Sequence, residues 1–283
     1  MSYWNDKTAL ITGGSAGLGL AIARELVRQG ARVAIAGRGQ RRLDDAVASL
    51  RLEGAGGSSL RRDPSGETIP AAVGIPADVT RPEQVQSLVQ RALLSLDRLD
   101  LLVNCAGKSS RGTAASTSPD QFRELWELNF LALVGCTQAC LPHLLKTKGH
   151  VVNIGSLASK SAAPFLGGYA ASKFPVAAFS QQLRLELAEQ GLHVLLVCPG
   201  PIRRDDAGSR YNEATGVPAA ARQPAGGVKL SSIDPDWLAK RILLSCQRRS
   251  AELVVPAKAR LLFAIAQLWP QLGDWIVRRM TKR

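Results

Sequence analysis

The chain has 283 residues, of which 46% are apolar and 21% charged; that balance supports one large packed core and excludes disordered and low-complexity classes. A net charge of +13 admits a nucleic acid, an acidic membrane surface or an anionic ligand as partner. The arginines are spread along the chain without any nucleic-acid motif, so no nucleic-acid partner is expected.

Residues 1–7 lack an apolar signal region, and the first apolar run leads straight into a glycine cluster. The expectation is a cytoplasmic protein that begins in its fold. Strand-like runs follow at 8–12, 33–36, 73–77, 99–104, 150–155, 193–198 and 252–255, alternating with helical patterns such as 18–29, 40–52, 82–94, 120–145 and 168–190. Most of the strand runs are continuously apolar, as strands buried on both faces of a parallel sheet must be. The pattern predicts an α/β fold, a doubly wound parallel sheet of Rossmann type with about seven strands in a single domain. Two stretches interrupt it. Residues 53–69, rich in Gly, Ser and Arg, read as a surface insertion. Residues 201–235 form a long connection after the sixth strand, on the side of the sheet where ligands bind, and a lid is expected at about 201–232. The catalytic domain would then span 1–256, with an amphipathic helical tail at 257–283. The most apolar stretch noted, 261–269, is half the length that a membrane span needs.

Cys105, Cys136, Cys140, Cys198 and Cys246 are scattered through apolar surroundings and are expected as reduced, buried thiols. His143, His150 and His193 stand isolated in the sequence, and no metal site is expected.

The first strand runs into Thr12-Gly13-Gly14-Ser15-Ala16-Gly17-Leu18-Gly19. Gly13 allows a tight turn, Gly17 lets the backbone approach a pyrophosphate, and Gly19 permits close packing of helix on strand. The helix beginning near Leu18 presents its first amides to the anion. This spacing resembles that of the short-chain dehydrogenase/reductase family, and the family's other elements follow in order over residues 5–256. They are Asn104-Cys105-Ala106-Gly107 (the family usually has Asn-Asn-Ala-Gly), Asn129, Ser156, Tyr169-Ala170-Ala171-Ser172-Lys173 and Pro199-Gly200. The intervals between Asn129, Ser156, Tyr169 and Lys173 are 27, 13 and 4, matching the family's spacing.

The chemistry supports the catalytic set independently. Tyr169 and Lys173, four apart on a helix, share a face. A free tyrosine titrates near 10; a neighbouring ammonium favours the phenolate and fits Tyr169 to give a proton to a developing alkoxide or to take one. Ser156 can hold the substrate oxygen and stabilise charge there. The resemblance adds that Lys173 also bonds the nicotinamide ribose and that Asn129 holds a water linking Lys173 to solvent. Taken singly, Ser156 also reads as a turn or cap residue and Tyr169 as helix packing.

Relatives that use NAD place an acid at the end of the second strand. This chain has Ala36-Gly37-Arg38-Gly39 there, and Arg38 can pair with a 2′-phosphate, so NADP(H) is the expected cofactor. The other reading is an exposed arginine opening a helix. One departure from NADP-preferring relatives is the absence of a basic residue in the glycine loop, where Ser15 and Ala16 stand. Asp78-Val79 resembles the adenine-contacting pair, although Asp78 also suits a helix N-cap. Ile202 fits the position whose backbone meets the carboxamide. Arg204 stands where threonine is common, which puts that contact in doubt; Arg203, Arg204 and Arg210 could greet an anionic substrate or be neutralised by Asp205 and Asp206. The resemblance therefore implies a cofactor set of Gly13, Ser15, Gly17, Leu18, Gly19, Arg38, Asp78, Val79, Asn104, Ala106, Gly107, Tyr169, Lys173, Pro199, Gly200 and Ile202.

The expected activity is hydride transfer between NADP(H) and a small-molecule carbonyl or alcohol. Reduction is the expected direction, from the usual cellular role of NADPH. The tail carries Lys258, Arg260, Arg278, Arg279, Lys282 and Arg283 against Asp274, with Leu272, Trp275, Ile276 and Met280 at helical spacing. It loosely resembles extensions of membrane-associated relatives such as the ketosphinganine reductases. A lipid-like substrate and peripheral contact with a membrane's inner face are the resulting expectations, with packing on the protein's own body as the other reading. The long apolar helices predict a homo-oligomer, dimer or tetramer. The rival function is a non-catalytic dinucleotide sensor, which needs neither Tyr169 nor Ser156.

Overall fold

The computed structural model describes residues 2–55, 70–204, 211, 217–222 and 231–281. In chain order its strands are β1 (Thr8–Thr12), β2 (Arg32–Gly37), β3 (Ala72–Pro76), β4 (Leu101–Asn104), β5 (His150–Ile154), β6 (His193–Pro199) and β7 (Glu252–Val255). They form one all-parallel sheet in the order β3-β2-β1-β4-β5-β6-β7. β1, β4, β5 and β6 are buried along their whole length, because helices cover both faces and leave no side open to water.

The helices are α1 (Gly17–Arg28), α2 (Gln40–Ala55), α3 (Pro82–Leu96), α4 (Pro119–Trp126), α5 (Ala132–Thr147), α6 (Tyr169–Leu187), α7 (Pro235–Gln247), α8 (Ala259–Leu268) and α9 (Pro270–Met280). α1, α2 and α7 bury Ile22, Leu26, Leu43, Leu50, Leu238 and Ile242 on one face of the sheet. α3, α5 and α6 bury Leu88, Val89, Cys136, Cys140 and Leu183 on the other. Each of the Leu, Ile and Val side chains among these contributes about 1.5–3 kcal/mol by leaving water.

The predicted helix at 120–145 is three pieces. Ser118 starts α4 with a capping box to Gln121 and Pro119 at the first position. A π-helical turn, Glu127–Leu131, then precedes α5. The whole run Pro119–Thr147 is long and apolar enough to span a membrane by composition, but it packs on the sheet, with Leu125, Leu133, Cys136, Cys140 and Leu144 buried. The structure adds α7, which the hydrophobic pattern did not single out. Its start is written in Asp234-Pro235: the Asp234 carboxylate accepts the Trp237 amide at 2.9 Å. The insertion expected from residue 53 begins later, because α2 runs through Ala55 with Glu53 paired to Arg28 at 2.9 Å; 56–69 lie outside the described residues. So does most of the expected lid, including Asp205, Asp206 and Arg210. Its root is described: Arg203 N–H donates to Ile233 O at 2.8 Å and Ile233 N–H to Pro201 O at 2.7 Å.

Two of the three histidines that stand isolated in the sequence are neighbours in space, because His150 and His193 are register partners at the amino ends of β5 and β6. His193 Nε2 lies 2.8 Å from Ser250 O, which can only accept, so that nitrogen carries the proton. His193 Nδ1 must then accept from His150 Nδ1 at 2.9 Å, and His150 Nε2 accepts from the Tyr3 hydroxyl at 2.7 Å. Burial, then the neighbouring His193 and the charges of Arg249 and Lys7, push His150 down to about 3; burial likewise lowers His193. The Cys246 thiol lies beside this pair, the three donor atoms falling within 4.8 Å of one another, but all four ring nitrogens are taken up by hydrogen bonds.

Candidate active site

The strand order reverses between β1 and β4, and the crevice beyond their carboxyl ends is where such sheets bind ligands. Gly13 turns there with φ +67°, and a Cβ on it would stand 2.9 Å from the Ala106 backbone. A Cβ on Gly19 would stand 2.3 Å from Gly13 O. Thr12 Oγ1 accepts the amides of Cys105 and Ala106 at 3.1 and 3.2 Å, tying the two strand ends together. The first turn of α1 carries no acid, and its N-cap residue Ala16 provides no side-chain acceptor. An uncapped, electropositive helix end against a floor that tolerates no side chain fits a pyrophosphate. Beside it, Ser15 Oγ sits over Gly37 at the end of β2, at 3.1 Å from where a Cβ would be, and Arg38 follows, exposed.

Asp78 does not cap α3, whose N-cap is Arg81. Its Oδ1 instead accepts the Thr80 amide and hydroxyl at 3.0 and 2.8 Å. Burial opposes ionisation, but those bonds and the charges of Arg38 and Arg81 hold the carboxyl below its usual range. Arg38 and Asp78 are thus within electrostatic reach of one another, with Val79 buried beside them.

A cavity of about 700 Å³ opens from the glycine floor. Gly13, Leu18 and Gly19 line one end, with Ala106 and Gly107 beside them and Pro199, Gly200 and Ile202 opposite. Ser156, Tyr169 and Lys173 reach the same cavity from β5 and α6. Ser156 is both things its position allowed: its hydroxyl accepts the Ala158 amide at 3.1 Å, capping a short turn, and it faces the cavity. Tyr169 opens α6, its ring packed among Ala158, Leu166 and Ala170. Lys173 is 5% exposed and donates to Ile154 O at 2.8 Å. Burial lowers its ammonium to about 8, with Cys105 and Cys198 nearby opposing the shift.

Two of the residues named from sequence lie behind the wall. Asn129 is buried in the π turn, where its amide donates to Lys108 O and Ser172 Oγ and its carbonyl accepts the Lys108 amide. A Cβ on Gly107 would stand 2.7 Å from Asn129 Oδ1 and 3.7 Å from Lys173 Nζ, so the two groups converge on that glycine. Asn104 lies deeper, its amide donating at 2.9 Å to both Thr137 and Asn153 in a buried network that joins β4 to β5. It braces the strand end and does not line the cavity.

The structure also contributes what sequence spacing could not. Cys105 lines the cavity where the family has asparagine, and burial pushes its thiol up to about 11. Arg111 stacks on Tyr211, its guanidinium carbon 3.9 Å from the ring centre, and donates to Ala221 O at 2.9 Å, linking the described part of the lid to the rim. The far wall is the tail: Leu262, Phe263 and Ile265 of α8 with Ile276, Val277 and Met280 of α9. The two helices cross closely, since a Cβ on Gly273 would stand 2.7 Å from Ala266 Cα.

The family model for short chain dehydrogenases matches residues 7–214. The chain is 32% identical over 276 residues to dehydrogenase/reductase SDR family member 7B of Danio rerio, covering 94% of this chain and 83% of that protein. It is 30% identical over 286 residues to ketoacyl reductase HetN of a Nostoc strain, covering 98% and 90%. Among solved structures, a short-chain dehydrogenase from Streptomyces avermitilis superposes with a TM-score of 0.75 at 27% identity, over 97% of both chains.

Proposed function

Because the chain belongs to the short-chain dehydrogenase/reductase family of nicotinamide-dependent oxidoreductases, we propose that it reduces a carbonyl on a largely apolar substrate with NADPH. The observation that carries this reading is the convergence of Ser156, Tyr169 and Lys173 on the cavity that the glycine floor opens into. When bound there, the dinucleotide supplies the hydride. Ser156 Oγ–H donates a hydrogen bond to the substrate oxygen and steadies charge as it develops. The Tyr169 phenol donates its proton to that oxygen. The Lys173 ammonium stabilises the phenolate left behind and, toward the cofactor, bonds the ribose. Asn129, fixed by Lys108 and Ser172, positions a water next to Lys173 that returns the proton. Gly13, Gly17, Leu18 and Gly19 hold the pyrophosphate, Arg38 the 2′-phosphate, Asp78 and Val79 the adenine, and Ile202 the carboxamide. A screen of NADPH oxidation against long-chain ketones, 3-oxoacyl esters, cyclic ketones and quinones tests the proposal; no turnover of any class by a protein that binds NADPH would return it to the sensor reading.

The apolar substrate follows from the tail, whose inner stripe is cavity wall. Its outer side carries Leu268, Trp269 and Trp275 at 67%, 60% and 54% exposure, with Arg278 and Arg279 exposed on the same helix as Trp275 and the Arg279 guanidinium over the Trp275 ring. An amphipathic hairpin with tryptophans and cations on one side suits an anionic bilayer surface. The full-length protein is expected to float with vesicles containing phosphatidylglycerol, and Trp269→Ser/Trp275→Ser to float several-fold less. Equal recovery of both proteins would confine the tail to its packing role.

Trp126 and Leu131 remain exposed on the helical run that carries Asn129, and Phe174 on α6, which carries Tyr169. A second copy covers them in the homo-oligomer that we propose, and light scattering at micromolar concentration should give a dimer or tetramer. A monomeric mass would overturn the assembly and leave the catalytic reading untouched.

A further inference from the structure

We infer that Arg204 is a second anion clamp, closing over the pyrophosphate of the dinucleotide from the side opposite the glycine turn. The inference rests on the dinucleotide reading above and adds a residue to it.

The backbone of the lid root separates two adjacent arginines. Arg203 is held outward: its amide donates to Ile233 O at 2.8 Å, and its guanidinium pairs with the Asp234 carboxylate that also caps α7. In an extended segment the next side chain points the other way, and Arg204 lines the cavity. Its reach is fixed by one contact. At Gly17, where φ is +52°, an added Cβ would stand 3.9 Å from Arg204 Nη1. The guanidinium therefore stands over the open turn at the start of α1, the helix end that has neither a side-chain cap nor an acid in its first turn.

This brings a cation to an electropositive helix terminus, across a gap from the Gly17 turn. Among the described residues, no carboxylate lines the cavity. A doubly charged pyrophosphate in the gap accepts from the α1 amides on one side and from the guanidinium fork on the other. Threonine, usual at this position in relatives, could offer one neutral hydroxyl; arginine offers a charge and a longer reach. Arg204 is thus a binding residue in its own right.

Fragments separate this site from the one at Arg38. NADPH and 2′-phospho-ADP-ribose contain the pyrophosphate, whereas 2′-AMP contains only the adenosine and its 2′-phosphate. Titration of the full-length protein, followed by calorimetry, should show Arg204→Thr and Arg204→Ala weakening the two pyrophosphate ligands by about ten- to hundredfold, the range of a charge-assisted contact. Binding of 2′-AMP should stay within about twofold, which also reports an intact fold. Arg204→Lys, with charge but no fork, should fall between. Unchanged or tighter NADPH binding by Arg204→Thr would overturn the inference, showing that the guanidinium stands aside or in the way. An equal loss for 2′-AMP would overturn it too, as a general disturbance of the site. If the wild-type protein binds neither NADPH nor NADH, the functional reading fails first and this inference with it.

Discussion

Tyr169→Phe should lower turnover by at least about 10²–10⁴-fold, the contribution of general acid/base catalysis, while NADPH affinity and melting temperature stay near wild type. The ring remains to pack on Ala158, Leu166 and Ala170; only the hydroxyl is lost. Among the described residues no histidine lines the cavity to replace it, and His150 and His193 are committed at the other end of the strands. Lys173→Ala should lose turnover and cofactor affinity together, since in the proposed mechanism its ammonium serves both phenol and ribose. The same group gives a pH signature. Its ammonium titrates at about 8 in the folded protein, so the charge is present below that pH and disappears above it. NADPH affinity of the free enzyme should therefore fall as pH rises through 8, and in Lys173→Met this dependence should be absent. A Tyr169→Phe enzyme that turns over at near-wild-type rate would end the mechanism.

Arg38→Asp should weaken NADPH by about ten- to hundredfold, as the loss of a charge-assisted contact predicts, with NADH changed far less. The substitution removes the cation at the end of β2 and sets an anion against the 2′-phosphate. It also places a second carboxylate near Asp78, whose ionisation Arg38 now favours, so part of the loss should be recovered at lower pH. Fluorescence titration with both cofactors decides the matter; wild-type protein that binds NADH as tightly as NADPH would reverse the assignment.

What could be read from sequence was what depends on spacing along a continuous chain. The β1–α1 glycine turn, the i,i+4 pair Tyr169 and Lys173, and the buried apolar strands all have local causes, and each sits where its spacing placed it. What could not be read depends on which distant segments meet. Asn129 reaches its place through a π turn, whose extra residue leaves no mark in a helical hydrophobic pattern. Asn104 carries the family's motif but spends its amide on Thr137 and Asn153, partners that only the β4–β5 register supplies. Arg204 looked as much like a partner for Asp205 and Asp206 as like a ligand contact; its direction follows from Arg203 being held by Ile233 and Asp234, some thirty residues away. α7 had a readable start in Asp234-Pro235, but the Gly- and Pro-rich stretch before it masked the signal.

The Tyr3–His150–His193–Ser250 chain has a consequence for handling the molecule. Both imidazoles are neutral when folded and titrate below their unfolded value of 6.5. As pH falls below about 6.5 the unfolded chain takes up protons that the native one refuses, so stability declines with acidity and keeps declining toward 3. Melting temperature between pH 7.5 and 5 should show this slope, and His150→Phe, though less stable at neutral pH, should flatten it by about one proton; an unchanged slope would place the acid sensitivity elsewhere. The first link is supplied by the Tyr3 hydroxyl, so Tyr3→Phe leaves a buried imidazole nitrogen unpaired. Acid tolerance is therefore tied to the amino ends of β5 and β6, whereas the proposed catalytic and cofactor residues sit toward the carboxyl ends.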